Sequence, residues 1–487
     1  MNPLCTRSAS ELARMIREGQ VSSREVVDAH IAQSERAAAI NAVVVDRYDA
    51  ARREADLADA RLAREGAEGL PRFHGVPCSI KESFALESMP WTAGLVARKG
   101  TLAVEDAPTV ARYRAAGLIP LGVTNTSELC MWFESDNRVY GRTSSAYDPA
   151  RTAGGSSGGE GAVVGAGASP VGLGADIGGS IRMPAFFNGV FGHKPSGGLL
   201  PNTGQFPAPE GDARRMCAAG PITRRAEDLF PLLELLAGPD GVDDSVVTHP
   251  LRRPDEVDVR GLTILDVRDD ASLATRPVER CLLDAQERAV RALSRRGAKI
   301  VQRSVPGLRQ AFDIWGATLH AANSVSFAEL LGNGERLRAG RLLREAPGAL
   351  RELSEFTLPA LGLALVERLP ELLPARAERL HDAGRRLRAE LESLLGDNGV
   401  MLYPSHRRAA PRHRHPMLSF PDAGFTGIFN VLHFPVTQVP LGLDERVLPT
   451  GVQVVGAWGN DHLTLAVARA LEEDLGGWVP PPRWSAS

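Results

Sequence analysis

The segment from Gly154 to Gly192 is exceptionally rich in glycine, alanine and serine, and it constrains the fold more than any other part of the sequence. Side chains this small let helices and strands approach one another closely, so we expect the segment to be buried and tightly packed. Within it, "GEGAVVGAGA" predicts a helix, "PVGLGAD" a strand, and "SIRMPAFFN" a second helix that begins at Ser180.

Predicted strands and helices alternate along the remaining sequence. "GVPCSI", "LIPLGVTNT", "LTILDV", "GVMLYPS", "FPVTQVPLG" and "GVQVVGAW" are typical of strands, and amphipathic helical stretches separate most of them. This alternation predicts an α/β fold. We see no internal repeat or linker, and therefore expect one domain over 1–487, with N-terminal helices at about 8–65, a core at about 70–240 and a helical region at about 308–397.

Composition narrows the functional classes. The 487 residues are 43% hydrophobic and 24% charged with a net charge of −3, which is typical of a soluble protein and gives no electrostatic attraction to nucleic acid. Five scattered cysteines without a C-x-x-C pair indicate free thiols in a reducing compartment, so we expect a cytoplasmic protein. No apolar run of about 18 residues occurs, and stable membrane insertion is therefore not expected.

The doubled serine in "GGSSGG" fits G-x-S-x-G on Ser156 and on Ser157. A nucleophile elbow needs a strand before the serine and a histidine late in the chain. The preceding residues are polar and turn-rich, and nothing distinguishes the late His433 and His462. "GLGADIG" has the wrong glycine spacing for a dinucleotide, and "GVFGHKPS" has proline where a P-loop needs a hydroxyl. The elbow and nucleotide binding are both disfavoured.

Three histidines cluster in "HRRAAPRHRH": His406, His413 and His415. Their spacing matches no helical zinc pair, and the neighbouring arginines would repel a cation. We expect a solvated basic loop here, with no metal site. No organic cofactor is predicted either.

Three stretches taken together resemble the amidase signature family: "GGSSGGEG", "GADIGGSIRMPAFFNGVFGHKPS" and the upstream lysine of "GVPCSIKE". The 24-residue separation of Ser156 and Ser180 also agrees with that family's pattern. The resemblance covers nearly the whole chain, and "LCMWFES" and "NDHLTLAVA" are most similar to the second type of fatty-acid amide hydrolase within it. Those enzymes carry an N-terminal membrane segment that this sequence lacks. The resemblance implies a large mixed β-sheet core surrounded by helices.

The resemblance also implies a Ser–cis-Ser–Lys relay. Ser180 matches the nucleophile, Ser156 the bridging serine after a cis peptide bond from Gly155, and Lys81 the terminal base. Lysine can act as a base only when it is neutral, which burial away from carboxylates favours. Only four of the 56 basic residues are lysines, and arginine could not replace Lys81 in this role.

Further residues are expected to support the reaction. Two glycines and a predicted helix start leave a run of backbone amides suited to an oxyanion hole: Ile177, Gly178, Gly179 and Ser180. By resemblance, three residues brace the nucleophile loop: Ser157, Asp176 and Arg182. One strip matches the family's acyl side: Cys130, Met131, Trp132 and Phe133. Five aromatic residues either line an apolar tunnel or belong to the core: Phe186, Phe187, Phe312, Trp315 and Phe327.

These features predict a serine amidohydrolase that cleaves carboxamides through an acyl-enzyme on Ser180. The resemblance favours N-acyl amides with an apolar acyl group, with esters or carbamates as further substrates and water as the second reactant. The alternative is the glutaminase-like component of an amidotransferase, which shares the relay residues and works with a partner protein. An inactive binding protein of the same fold is a third interpretation. Peripheral membrane contact and a homodimer both stay compatible with the sequence.

Overall fold

A large mixed β-sheet organises the chain. A computed structural model describes residues 1–270, 272, 275, 277–322, 324–367 and 374–485. Thirteen strands occur in these residues: β1 Val43–Asp46, β2 Val76–Lys81, β3 Leu118–Thr124, β4 Asp136–Asn137, β5 Gly141–Arg142, β6 Val171–Asp176, β7 Phe191–Lys194, β8 Ala218–Thr223, β9 Thr263–Asp266, β10 Lys299–Gln302, β11 Gly399–Tyr403, β12 Val436–Leu443 and β13 Pro449–Gly456.

Eleven of these described strands form one sheet in the order β1-β3-β2-β6-β8-β7-β12-β13-β11-β9-β10, and β4 pairs separately with β5. Strands β3, β2 and β6 run parallel to one another, as do β11, β9 and β10, while antiparallel pairs join the remaining neighbours. Ser79 of β2 pairs with Gly172 of β6. The carboxyl ends of β2 and β6 therefore meet at one edge of the sheet.

Helices surround this sheet, which agrees with the predicted α/β class. Seventeen α-helices occur in the described residues: α1 Ala9–Arg17, α2 Ser23–Arg36, α3 Tyr48–Glu65, α4 Pro108–Ala115, α5 Gly158–Gly165, α6 Arg182–Phe187, α7 Ala213–Met216, α8 Leu229–Leu236, α9 Arg280–Arg295, α10 Ala311–Ala322, α11 Phe327–Leu331, α12 Ala339–Leu350, α13 Leu358–Val366, α14 Pro374–Leu395, α15 Gly424–Val431, α16 Asp461–Leu475 and α17 Pro482–Ser485. Within that part of the chain, none has the length and apolar character needed to cross a membrane.

The predicted element types are confirmed over most of the chain. Helices α1 and α2 begin after Ser8 and Ser22, whose side chains accept hydrogen bonds from backbone amides of the first turn. The predicted helical region at 308–397 contains α10 to α14. Residues 323 and 368–373 of that region lie outside the described residues.

The small-residue segment is buried as expected. Every residue of α5 and of β6 is buried, and α5 packs against β2, β6 and α6. A Cβ at Gly161 of α5 would lie 2.6 Å from the carbonyl oxygen of Pro184 in α6. The close contact between these two helices therefore depends on glycine at this position.

The predicted helix start at Ser180 is wrong, because α6 begins two residues later at Arg182. The carboxylate of Asp176 accepts hydrogen bonds from the amides of Gly179 at 2.7 Å and of Ile181 at 3.1 Å. These bonds hold the backbone between β6 and α6 as a loop. Ser180 lies on that loop, where the amide of Met183 already donates a helix-like hydrogen bond to the Gly179 carbonyl at 2.8 Å, just before α6.

Candidate active site

Lys81, Ser156 and Ser180 border one cavity of about 630 Å³. Lys81 is the last residue of β2, Ser156 lies on the loop before α5, and Ser180 lies on the loop after β6. The amine of Lys81 donates a hydrogen bond to Ser156 Oγ at 2.7 Å. All three side chains are buried, and Ser180 is the most exposed of them at 6%. The structure thus brings together the three residues expected to form the relay.

The two serine-bearing loops are joined around Ser157. The peptide bond between Gly155 and Ser156 is cis, as the resemblance implies. The backbone amide of Ser157 donates to the Ser180 carbonyl at 3.2 Å, and its hydroxyl donates to the Ala175 carbonyl at 3.2 Å. Ser157 therefore ties the loop of the bridging serine to the strand and loop that carry Ser180, which fits its expected supporting role.

Glu160 of α5 is a buried carboxyl close to the lysine. Ser79 Oγ donates to it at 2.6 Å and Thr124 Oγ1 at 2.7 Å, and in the described part of the chain no cation forms an ion pair with it. Burial raises the pKa of Glu160 to about 8, a rise that the two hydroxyls and the nearby Lys81 only partly offset. Near neutral pH this carboxyl is therefore predominantly protonated, and it gives Lys81 little anionic charge to pair with.

The amides expected to form the oxyanion hole are not equivalent. The amide of Gly179 is already bonded to Asp176 Oδ1 at 2.7 Å. Within the described residues, no partner binds the amides of Ile177, Gly178 and Ser180. The expected set of four donors is therefore reduced to three, because the Asp176 carboxylate takes the fourth.

Two positions of this loop require glycine. Gly179 has a φ of +121°, and a Cβ there would overlap Thr426 Oγ1. A Cβ at Gly178 would lie 2.7 Å from the ring of Trp315. The close approach of these neighbours leaves no room for a larger residue at either position.

Asp176 and Arg182 form a fully buried ion pair with an N–O distance of 2.9 Å. Arg182 also donates to the Thr426 carbonyl at 2.9 Å, to Asn430 Oδ1 at 2.7 Å and to Gln453 Oε1 at 3.0 Å. Burial alone would raise the pKa of Asp176, but the guanidinium outweighs it and holds that pKa well below its usual range. Together these contacts brace the nucleophile loop as expected, and a surface ion pair is excluded.

The expected acyl-side strip divides into two parts. Cys130 and Met131 border the cavity. Trp132 and Phe133 are not among the described residues that line it, and their place on the acyl side stays a prediction. Trp132 stacks on Phe420 with ring centroids 5.7 Å apart, and Phe133 packs on the same ring at 6.0 Å. Phe420 itself lines the cavity, and both rings reach the cavity wall through their contact with it.

The two interpretations of the five aromatic residues are also resolved. Phe312, Trp315 and Phe327 border the cavity. Phe186 and Phe187 belong instead to a cluster of buried residues in the hydrophobic core. The tunnel interpretation holds for the residues from the helical region, and the core interpretation holds for the two in α6.

Sequence reasoning missed much of the cavity wall. Its further apolar lining includes Phe206, Pro207, Leu319, Leu330 and Leu363. Its polar lining includes Asp313, His320, Arg336, Glu367 and Arg376. These residues come from four separate helices and from segments outside the helices, and no local pattern marks them as neighbours. Only the aromatic residues and leucines of the helical region pointed to an apolar cavity there.

The expected solvated histidine loop is partly wrong. His406 is buried, with its ring 5.3 Å from that of Phe187 and its Nδ1 3.0 Å from the Arg408 carbonyl. His413 and His415 are half-buried. Among the residues that the structure describes, no group of three or more His, Cys, Asp or Glu side chains is arranged to hold a metal ion.

Comparison with known proteins extends these observations. A family model described as Amidase matches residues 25–465. The chain is 45% identical over 494 residues to fatty-acid amide hydrolase 2-B of Danio rerio, covering 99% of this chain and 91% of that protein. It is 40% identical over 497 residues to fatty-acid amide hydrolase 2 of Homo sapiens, with the same two coverages. The solved structure of a native peptide amidase from Stenotrophomonas maltophilia matches with a TM-score of 0.80 at 25% identity, over 98% of this chain and 99% of that one.

Proposed function

The chain belongs to the amidase family and hydrolyses amide C–N bonds, and we propose that it does so as a serine hydrolase with Ser180 as the nucleophile. One observation carries this proposal. Lys81 Nζ lies 2.7 Å from Ser156 Oγ on the wall of a cavity that Ser180 also borders. A base, a hydroxyl and a second hydroxyl thus share one enclosed space, which is the requirement for activating a serine without histidine.

The surroundings of Lys81 suit the base that the relay requires. Among the described residues, Ser156 Oγ is its sole side-chain hydrogen-bond partner, and no carboxylate lies in ion-pair contact with it. A buried ammonium would leave two N–H groups without acceptors, which is costly. A neutral amine can instead accept the Ser156 proton. The raised pKa of the nearby Glu160 means that this carboxyl places little negative charge beside the amine near neutral pH.

In the proposed acylation step, Ser180 Oγ attacks the carbonyl carbon of the substrate while its proton passes to Ser156. Ser156 gives its own proton to Lys81, and the carbonyl oxygen becomes an oxyanion. The amides of Ile177, Gly178 and Ser180 are open to bind that charge. Loss of one such donor typically slows an enzyme by about 10²–10³-fold.

Collapse of the tetrahedral intermediate breaks the C–N bond. The proton held by Lys81 returns through Ser156 to the leaving nitrogen, which would otherwise depart as a poor, unprotonated amide anion. An ester on Ser180 remains. Water then attacks this ester with the same relay as its base, which releases the carboxylic acid and restores the Ser180 hydroxyl. No metal or organic cofactor is part of the proposed cycle.

For the substrate, we propose N-acyl amides with an apolar acyl group. The names of the two fatty-acid amide hydrolase relatives suggest this class, and the leucine, phenylalanine and tryptophan side chains of the cavity suit an alkyl chain. Esters and carbamates of similar shape present the same carbonyl to Ser180. Glutamine, the substrate of the alternative amidotransferase component, would leave most of these apolar side chains without an apolar surface to contact.

We also propose a cytoplasmic location, because the five free thiols are typical of a protein in a reducing compartment.

A fluorophosphonate probe and two substrates test this proposal. The probe should label the wild-type protein on Ser180, and Ser180→Ala should abolish both labelling and hydrolysis of a long-chain acyl anilide. The purified protein should leave glutamine untouched. Release of ammonia from glutamine without turnover of the anilide would favour the amidotransferase role, and absence of labelling would favour an inactive binding protein.

A further inference from the structure

Trp315 of α10 connects the cavity wall to the loop that carries the open amides. Its ring borders the cavity. Its indole Nε1 donates a hydrogen bond to the carbonyl oxygen of Ile177 at 2.9 Å. The same ring covers the Cα of Gly178, where an added Cβ would lie 2.7 Å from Trp315 Cζ2.

The carbonyl of Ile177 and the amide of Gly178 belong to one planar trans peptide unit. In such a unit the C=O and N–H bonds point in opposite directions. A hydrogen bond that fixes the carbonyl therefore also fixes the direction of the amide. Because Trp315 holds the carbonyl of Ile177, it determines where the open N–H of Gly178 points.

The next peptide unit shows what a fully anchored unit looks like. The carbonyl of Gly178 accepts a 2.6 Å hydrogen bond from Thr426 Oγ1, and the amide of Gly179 donates to Asp176. That unit is held at both ends. The unit between Ile177 and Gly178 is held at its carbonyl alone within the described residues, so its orientation depends on Trp315.

We propose that Trp315 is a positioning residue for the oxyanion hole, which acts by orienting the Gly178 amide through the Ile177 carbonyl. This inference rests on the proposed function, since it requires an oxyanion to form beside Ser180. Trp315 does not touch the reacting atoms in this role. Its contribution is realised in the transition state, where the carbonyl oxygen gains charge, and not in the binding of the acyl chain.

Two replacements separate the indole N–H from the ring. Trp315→Phe removes the donor and shortens the side chain, whereas 3-benzothienylalanine at position 315 keeps the ring size and replaces only the N–H by sulfur. Trp458→Phe is the matched control, because the Trp458 Nε1 donates to the Gly197 carbonyl at 3.0 Å and neither residue borders the cavity. All variants are compared as the full-length chain.

The readouts are kcat and KM for a long-chain acyl anilide, the Ki of an alkyl boronic acid and the Kd of an alkyl ether. The boronic acid forms a tetrahedral anion on serine, whereas the ether fills the cavity without a carbonyl. We expect both replacements at position 315 to lower kcat by about 10- to 100-fold and to weaken the boronic acid by a similar factor. KM and the ether Kd should change less than about threefold with the benzothienyl side chain. Trp458→Phe should retain the wild-type kcat.

Two results would overturn the inference. Wild-type kcat in the benzothienyl variant would show that the hydrogen bond has no effect on catalysis. A loss of ether affinity as large as the loss of boronic acid affinity would make Trp315 a wall residue only. Fluorophosphonate labelling of the wild-type protein keeps the two proposals apart, since failure to label Ser180 refutes the serine mechanism itself, while normal labelling leaves that mechanism standing.

Discussion

Lys81 Nζ and Ser156 Oγ form a 2.7 Å hydrogen bond between two side chains that are both withdrawn from solvent. The two residues are 75 positions apart in the chain, one at the end of strand β2 and one on the loop before the buried helix α5. Bulk solvent reaches little of either group, so we expect proton exchange between them to run mainly through this contact. The contact therefore gives the most direct test of the proposed relay.

Replacement of this lysine should abolish catalysis without unfolding the protein. We expect Lys81→Ala to lower the rate of acylation by about 10²–10⁴-fold, because the base is lost. Lys81→Arg should be nearly as inactive, since a guanidinium does not release its proton near neutral pH. The rate of fluorophosphonate labelling measures both. Lys99→Arg, at an exposed position, is the matched control and should label at the wild-type rate. An active Lys81→Arg enzyme would contradict a neutral base.

The buried ion pair behind the nucleophile loop should be costly to break. Arg182→Met leaves the Asp176 carboxylate buried without its cation, and we expect the free energy of unfolding to fall by about 3–5 kcal/mol. Urea denaturation measures this change. Arg291→Met removes a half-exposed pair with Glu287 and should cost less than about 1 kcal/mol. Equal losses of unfolding free energy in the two variants would show that burial does not make the pair of Asp176 and Arg182 more costly to break.

Glu160→Gln should make stability less dependent on pH. Burial raises the Glu160 pKa from 4.5 to about 8, so the folded wild-type chain retains a proton that the unfolded chain loses between these values. The free energy of unfolding of the wild type therefore falls as pH rises through that window, by up to about 1.4 kcal/mol per unit. The advantage of the glutamine variant should grow from pH 4.5 to pH 8 and then level off. A difference that stays constant with pH would mean that the carboxyl is ionised in the fold.

A single methyl group at Gly179 should disturb the nucleophile loop. Gly179→Ala places a Cβ against Thr426 and requires a φ of +121° that other residues avoid, so we expect a loss of about 1–3 kcal/mol. Hydrolytic activity should fall with it. Gly340→Ala is the control, because it lies in a helix with open space around its Cα and should be neutral or slightly stabilising. Thermal unfolding of the two variants compares them. An unchanged midpoint in Gly179→Ala would contradict the tight fit.

Local periodicity was sufficient to predict most elements of the fold, whereas their arrangement was not predictable. The strands that carry Lys81 and Asp176 were recognised from short apolar runs. Nothing local could show that β8 lies between β6 and β7, because that order is set by pairing between distant segments. The start of α6 was misplaced because Pro184 has no backbone N–H to donate to the Ser180 carbonyl, which interrupts the helical hydrogen bonds at this point.

The residues proposed for the relay could be singled out in the sequence because a long motif carries them. The residues that hold them in place could not. Thr426, Asn430 and Trp315 contact the nucleophile loop from positions more than 130 residues away, where a lone threonine, asparagine or tryptophan has no distinguishing pattern. Trp132 was expected on the acyl side by resemblance, whereas the structure packs it on Phe420, which lines the cavity.

The contacts of Arg182 have a consequence for how the enzyme is made. Translation produces Lys81, Ser156 and Ser180 early, but Gln453 leaves the ribosome 271 residues after Arg182. A nascent chain that ends before Thr426 thus holds every reacting group and none of the three polar contacts that Arg182 makes with Thr426, Asn430 and Gln453. We therefore expect the hydrolase to stay inactive throughout most of its own synthesis and to acquire its activity when the last two strands of the sheet are added.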